Sequence, residues 1–148
     1  MLRLLLAAAL IALAPATTYA ADTAQTEENK KVVAEFYEAA INQKNFEAAA
    51  KFLGPRYIQH NPSAADGPEG LEAYINFLRE KFPDSHSEVK HVFADGDCVI
   101  QHVHSVRTPG SRGSAIINIF KLENGKIVEH WDVIQEIPEK SANSNTMF

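Results

Sequence analysis

The chain has little cysteine, and this scarcity limits what can hold it together. Cys98 is the single cysteine among 148 residues, so an internal disulfide is excluded. Stability must therefore come from a hydrophobic core, for which 45% hydrophobic residues in a chain of one-domain length suffice. Because Cys98 stands beside Val99 and Ile100 in an apolar run, we predict a small buried residue rather than a nucleophile.

Clusters of basic residues are also missing. The 14 Lys and Arg residues are scattered among 19 Asp and Glu residues, which gives a formal net charge of -5. Nucleic-acid binding requires positive charge concentrated on one face of a domain. We therefore expect no nucleic-acid partner.

Apolar runs long enough to span a bilayer are absent as well. A spanning helix needs about 20 apolar residues, whereas the longest run covers residues 4–14. That run follows a positive start at Arg3 and precedes small residues that end at Ala20, which is the layout of a secretory signal peptide. We predict that residues 1–20 are removed, that the protein is exported to the periplasm or secreted, and that the mature form has no membrane span. An uncleaved N-terminal anchor is the alternative.

Helical spacing of apolar residues predicts three helices in the first half of the mature chain. A flexible leader, residues 21–28, is expected to contain Thr26 as the cap of the first helix. The second helix is expected near residues 46–52, and Pro68 is expected to open the third.

Four runs rich in Val, Ile and Phe predict strands in the second half of the chain. The dipeptides at residues 95–96 and 124–125, Asp-Gly and Asn-Gly, predict two tight hairpins. Helices followed by an antiparallel meander predict an α+β domain over residues 29–138, with the helices on one face of the sheet. Residues 139–148 are expected to form a polar tail.

Polar side chains interrupt the apolar rows of three neighbouring strands. An unpaired polar group in a closed core costs about 1–3 kcal/mol, so several of them in one region predict a pocket. Alternation along each strand selects the polar residues His102 and His104, Asn118 with Phe120 on the same face, and His130 and Asp132. Alternation alone leaves open which face of the sheet is inside, and the opposite face with Trp131 is suited to a homodimer interface.

Asp132 is the candidate general base, with His60 and His104 as candidate partners. A carboxylate hydrogen-bonded to an imidazole fixes its tautomer and raises its basicity. A carboxylate in an apolar cavity can also act alone, because desolvation raises its pKa. The alternative for each histidine is a structural hydrogen bond.

His102 and His104, joined by His60, would also suffice as three ligands of a zinc ion with one open position. The spacing of two histidines two residues apart on a strand is weakly specific. We expect no metal and no other cofactor.

Four segments stand out along the chain: residues 57–62 (YIQHNP), 66–70 (DGPEG), 93–97 (FADGD) and 123–133 (ENGKIVEHWDV). Together they resemble the SnoaL-like polyketide cyclase family, which belongs to the nuclear transport factor 2-like superfamily. The resemblance extends from about Asn29 to Pro138.

The resemblance implies a cone, in which a strongly curved antiparallel sheet is wrapped by three helices and encloses a pocket. Cyclases of this family perform an intramolecular aldol condensation without a cofactor, and Asp132 is at the position of their acidic base. Asn118 is where the family has a histidine and cannot titrate, so His104 would supply the imidazole. Further pocket residues are expected to be His102, His130, Tyr57 and Phe120. The resemblance also implies a homodimer.

We therefore expect a protein that binds a small, carbonyl-containing molecule and performs general acid/base chemistry of the aldol, isomerase or lyase type. The alternative is a non-catalytic small-molecule binding protein of the cell envelope.

Overall fold

The computed structural model describes residues 17–148, with side chains from residue 23 onward. Most of the predicted signal peptide, residues 1–16, lies outside the described residues, and its cleavage stays a prediction. In the described part of the chain, none of the helices combines the length and apolarity needed to cross a membrane. The elements are α1 (Thr17–Tyr37), a π-helical turn (Glu38–Asn42), α2 (Phe46–Ala50), β1 (Leu53–Gln59), α3 (Gly67–Lys81), β2 (His86–Asp95), β3 (Cys98–Val106), β4 (Ser114–Glu123) and β5 (Lys126–Glu136).

The first helix begins earlier than its sequence indicated. Thr26 does not cap it, because the Thr26 hydroxyl donates to the carbonyl oxygen of Thr23 at 2.9 Å inside α1. Residues 21–28 are therefore helical here rather than a flexible leader. This stretch contains Ala, Gln and Glu, which have favourable helix propensity, and it contains no proline or glycine. Asn29 follows it and is buried against the sheet.

The five strands form one curved sheet in the order β1-β5-β4-β3-β2. Strands β2 to β5 make the predicted antiparallel meander, and β1 joins its edge parallel to β5, so the sheet is mixed. A parallel neighbour requires a long crossover connection, which α3 and the first three strands of the meander supply. The α+β fold with three helices around a curved sheet, predicted from the sequence, is confirmed.

Turn chemistry and register shifts shape this sheet. Asn124 and Gly125 adopt φ of 51° and 72°, as the two central residues of a tight hairpin turn require. Register shifts interrupt the β2–β3 pair after Val89 and the β4–β5 pair after Lys121. Such irregularities increase the local bend and twist, which gives the sheet its concave inner face.

The inner face of the sheet packs against the helices and forms the core. Phe36 of α1 meets Phe120 of β4 edge to face, with ring centroids 5.8 Å apart. Val99 and Val103 of β3 are fully buried on the same face. Cys98 starts β3 beside the turn and is partly exposed, so its predicted burial is wrong. Its distance from the core follows from its place at the strand end.

Candidate functional site

The concave face of the sheet encloses a cavity of about 960 Å³. Side chains from α1 and α3 close it on one side, and two loops form its rim, after β1 and between β3 and β4. Its polar side chains include five residues that the sequence or its motifs singled out: Tyr57, Gln59, Asn61, His130 and Asp132. The cavity is therefore lined by apolar residues together with a set of polar side chains.

Register decides which polar side chains meet in this cavity. In antiparallel strands, directly opposed residues share a face. Gln101 of β3 is opposite Asn118 of β4, and Asn118 is opposite Asp132 of β5. These three side chains therefore point inward across three neighbouring strands.

Asp132 is held by Asn61 from the loop after β1. The Asn61 Nδ2 lies 2.7 Å from Oδ1 and 2.8 Å from Oδ2 of Asp132. The Asn61 Oδ1 accepts the backbone N–H of Ser63 at 2.7 Å, which fixes the amide so that its NH₂ group faces Asp132. The loop thus positions a carboxylate whose other lone pairs remain available to a bound molecule.

His130 has its tautomer set by a chain of fixed groups. The backbone N–H of Asn61 donates to Gln59 Oε1 at 2.9 Å, so this atom must be the amide oxygen. His130 Nδ1 lies 3.0 Å from the same oxygen and must therefore carry the proton. Neutral His130 then has an unprotonated Nε2, which faces the Asn118 side chain at 3.1 Å.

Asn118 has to match that acceptor. Oxygen and nitrogen of an amide are distinguished by their hydrogen bonds, and only Nδ2 can donate to an unprotonated Nε2. We therefore assign the Asn118 amide with Nδ2, rather than Oδ1, as the atom 3.1 Å from His130 Nε2. The Asn118 oxygen is then an acceptor for the Tyr37 phenol, which interacts with the Asn118 side chain. Burial raises the pKa of Tyr37 to about 12. Tyr37 stays protonated and can donate.

Burial lowers the pKa of His130 to about 4, and the nearby Asp132 charge opposes this shift. The ring is therefore neutral at pH 7, in agreement with the tautomer set by Gln59. His130 thus acts as a hydrogen-bonded structural member of the cavity wall that fixes Gln59 and Asn118.

The His130 pKa predicts how stability depends on pH. The unfolded chain protonates His130 near pH 6.5, whereas the folded chain resists protonation until about pH 4. The contribution to stability is therefore complete above pH 6.5 and is lost as the pH falls toward 4, by roughly 2–4 kcal/mol. Urea unfolding of wild type and His130→Gln across this range should give a difference curve with that window. His91→Gln, on an exposed ring, is the control, and a variant as acid-sensitive as wild type would contradict the assignment.

Tyr57 supplies a second donor to the cavity. Its side chain is only 4% exposed, and its hydroxyl accepts Gln59 Nε2 at 3.2 Å. Burial, with the nearby Asp132 charge, raises the pKa of the Tyr57 phenol well above its usual value of 10. The phenol is therefore protonated at neutral pH, and its O–H remains free to donate to a bound oxygen.

Gln101 lies behind the cavity wall and is fully buried. Within the described residues, neither its Oε1 nor its Nε2 has a hydrogen-bond partner. An amide without partners in a protein interior carries a desolvation cost of about 1–3 kcal/mol. Gln101 is opposite Asn118, so these two polar side chains are neighbours on the inner face of the sheet.

The expectation that His102 and His104 belong to the pocket is wrong. Both lie on the convex outer face of the sheet, because Gln101 and Val103, their neighbours along β3, take the inner face. His104 Nε2 lies 2.8 Å from the carbonyl oxygen of Arg112, and the ring of Phe148 lies beside both histidines. His104 therefore cannot supply an imidazole to Asp132.

His60 also points away from the cavity. Its ring stacks on Trp131 with centroids 4.5 Å apart, and its Nε2 lies 3.3 Å from Glu129 Oε2. This hydrogen bond holds the pKa of the Glu129 carboxyl below its usual range. Among the described side chains, no three potential ligands are grouped to hold a metal ion. The zinc alternative built on His60, His102 and His104 is therefore wrong.

Other cavity residues were missed by reasoning from strand alternation. Gln59 and Asn61 stand in the quoted YIQHNP segment, but alternation cannot show that the loop folds over β5. Arg107 and Arg112, at the rim, belong to a glycine-containing connection whose path the sequence does not give. Tyr37 of α1 also lines the cavity, and helical spacing of apolar residues does not distinguish it from a core residue.

This architecture is that of the nuclear transport factor 2-like α+β fold. Among solved structures, TsrD from Streptomyces laurentii is similar, with a TM-score of 0.61 and 22% identity over 73% of this chain and 88% of that chain. An NTF2-like protein of unknown function from Cytophaga hutchinsonii gives 0.58 and 24% over 72% and 89%. At these identities the likeness defines the fold alone. Comparison with curated protein sequences finds no match.

The model of the SnoaL-like polyketide cyclase family matches residues 31–140. Because this match covers most of the chain, the protein belongs to that family.

Proposed function

We propose that the protein binds a small carbonyl compound in this cavity and removes a proton from the carbon next to the carbonyl. Asp132 would be the base, and the Tyr57 phenol would donate a hydrogen bond to the carbonyl oxygen. The observation that carries the proposal is a carboxylate and a protonated phenol in the wall of one cavity, with Asn61 and Gln59 orienting them. The family membership agrees with such chemistry.

The electrons and protons of this step balance without a cofactor. The C–H bond breaks, its proton moves to an Asp132 oxygen, and its electron pair becomes the enolate. The enolate oxygen is stabilised by the Tyr57 O–H, which stays protonated because of its raised pKa. Attack of the enolate carbon on a second carbonyl of the same molecule forms the new C–C bond. The resulting alkoxide recovers the proton from Asp132.

Proton exchange tests this proposal without the physiological substrate. Protein in D₂O would be mixed with a methyl-ketone carboxylic acid, oxodecanoate with its ketone at the penultimate carbon. Loss of the α-proton NMR signals faster than with buffer alone is the expected result. Binding of the ketone by calorimetry without any enhanced exchange would refute the base role and favour the non-catalytic binding protein.

We further propose that the convex outer face mediates a homodimer. Val133 is 72% exposed and Phe93 is 59% exposed on this face, which also presents Ile117 and the stacked His60–Trp131 pair. Large exposed apolar patches on a soluble domain mark interaction sites.

Light scattering after size exclusion tests the dimer. We expect about twice the chain mass for wild type and the monomer mass for Val133→Asp, because a buried charge without a partner would oppose the contact. Phe77→Asp, an exposed position on α3, is the matched control and should stay dimeric. A monomeric wild type would exclude this proposal.

A further inference from the structure

Two arginine side chains stand at the entrance of the cavity. Arg107 follows β3 and Arg112 precedes β4, and both line the rim while remaining exposed to solvent. Among the side chains described, from residue 23 to 148, neither guanidinium lies within ion-pair distance of a carboxylate. The carboxylate of Glu136 lines the same rim, so the two arginines still leave the entrance with an excess of positive charge in a chain whose net charge is -5.

Neutral partners hold these guanidinium groups in place. Arg107 Nη2 donates to the Tyr74 hydroxyl at 3.4 Å, and its Cζ lies 5.5 Å from the centroid of the Phe82 ring. Arg112 Nε donates to the carbonyl oxygen of Ile137 at 3.2 Å. Each guanidinium has five N–H donors, so most of them remain free for a ligand. A group that is already oriented loses less entropy when it binds.

The charges along the cavity define an orientation for a bound molecule. Asp132 would repel an anion, whereas at the rim the two arginines attract one and outnumber the single carboxylate of Glu136. Glu136 lies four positions after Asp132 along β5 and pairs with Ser114 at the rim. At a strand rise of roughly 3.3 Å per residue this is about 13 Å. A ligand of about that length with its neutral end beside Asp132 would bring its anion to the rim that Arg107 and Arg112 line.

We propose that Arg107 and Arg112 bind a carboxylate at the end of the ligand remote from its carbonyl group. The substrate class is therefore a carboxylic acid that carries its reacting carbonyl groups at the end remote from the carboxylate. The planar fork of arginine matches a carboxylate in two parallel hydrogen bonds. The hydroxyls of Thr108 and Ser111 on the same rim add neutral donors. The position of the carbonyl rests on the proposed function, whereas the anion site does not.

Calorimetry with three matched probes tests the anion site. The probes are the oxodecanoate described above, its methyl ester and the alkyl phosphonate of the same length. Wild type should bind the carboxylate at least tenfold more tightly than the ester, and added NaCl should weaken binding of the two charged probes but not of the ester. An ester that binds as tightly as the acid, or no binding of the acid at all, would overturn the proposal. A phosphonate preferred over the carboxylate would overturn the assigned class.

Variants locate the site. The double variant Arg107→Gln, Arg112→Gln should lose the preference for the acid while its ester affinity stays within about twofold, and circular dichroism would verify its fold. Arg56→Gln is the matched control, because Arg56 pairs with Glu123 outside the cavity and should keep the preference. A double variant that retains the preference would refute the site.

The two proposals can fail separately. A preference for the acid without α-proton exchange would leave the anion site standing and reject Asp132 as base. Exchange without a preference for the acid would support Asp132 as base and reject the anion site.

Discussion

Replacement of Asp132 by asparagine should lower α-proton exchange of the methyl ketone by about 10²–10⁴-fold, the contribution of a positioned general base. Asparagine has nearly the same shape and still offers an oxygen to Asn61 Nδ2, which now donates to both carboxylate oxygens. The cavity should therefore keep its form and its affinity for the ketone. The exchange rate by NMR and the dissociation constant by calorimetry measure the two quantities separately.

Glu129→Gln is the matched control for this variant, since Glu129 is a second carboxylate on β5 and its side chain pairs with His60 outside the cavity. It should exchange at the wild-type rate. Tyr57→Phe should lower exchange by a smaller factor, about 10-fold to 10³-fold, because it removes one donor to the enolate oxygen. If Asp132→Asn exchanged as fast as wild type, Asp132 would be a structural partner of Asn61 alone.

A large loss of stability is expected for Gly113→Ala in the connection between β3 and β4. Gly113 has φ of 76°, and a Cβ there would lie 2.3 Å from the carbonyl oxygen of Ser105. The left-handed conformation costs a non-glycine residue about 1–2 kcal/mol. The clash with backbone adds roughly 1–3 kcal/mol more. Urea unfolding should therefore show a decrease of about 2–5 kcal/mol in the free energy of unfolding.

Gly110→Ala measures the cost of the left-handed conformation without the cost of a clash with backbone. Gly110 lies in the same connection, lines the same cavity and has φ of 83°, but a Cβ there would meet nothing within 4 Å. Gly110→Ala should therefore lose only about 1–2 kcal/mol, the cost of the left-handed conformation. Equal losses in the two variants would show that the close approach to Ser105 relaxes without cost.

Local patterns in the sequence predict the elements of this fold well. The Asn124-Gly125 hairpin and the start of α3 near Pro68 depend on backbone preferences of a few adjacent residues. The order of helices followed by a meander then restricts the architecture to an α+β domain. The N-terminus of α1 is the exception, because Thr26 is compatible with both a cap and a helix interior and only the flanking residues decide.

Membership of the site was predicted only in part. Asp132, His130 and Asn118 line the cavity as expected, since alternation and adjacency in a meander are local properties. The prediction for His102 and His104 was wrong because a shift of one residue along a strand moves a side chain to the other face of the sheet. Alternation left the choice between Gln101 and His102 open, and the pairing of Gln101 with Asn118 resolved it.

The sequence by itself determined the α+β class, the meander, and Asp132 as a polar residue within an apolar row. These features follow from interactions between residues close in the chain. The tertiary structure alone decided that Asn61 holds Asp132, that His60 stacks on Trp131, and that two arginines line the cavity entrance. Each of these contacts joins segments far apart in the chain, and their geometry depends on the curvature of the sheet and the path of its loops.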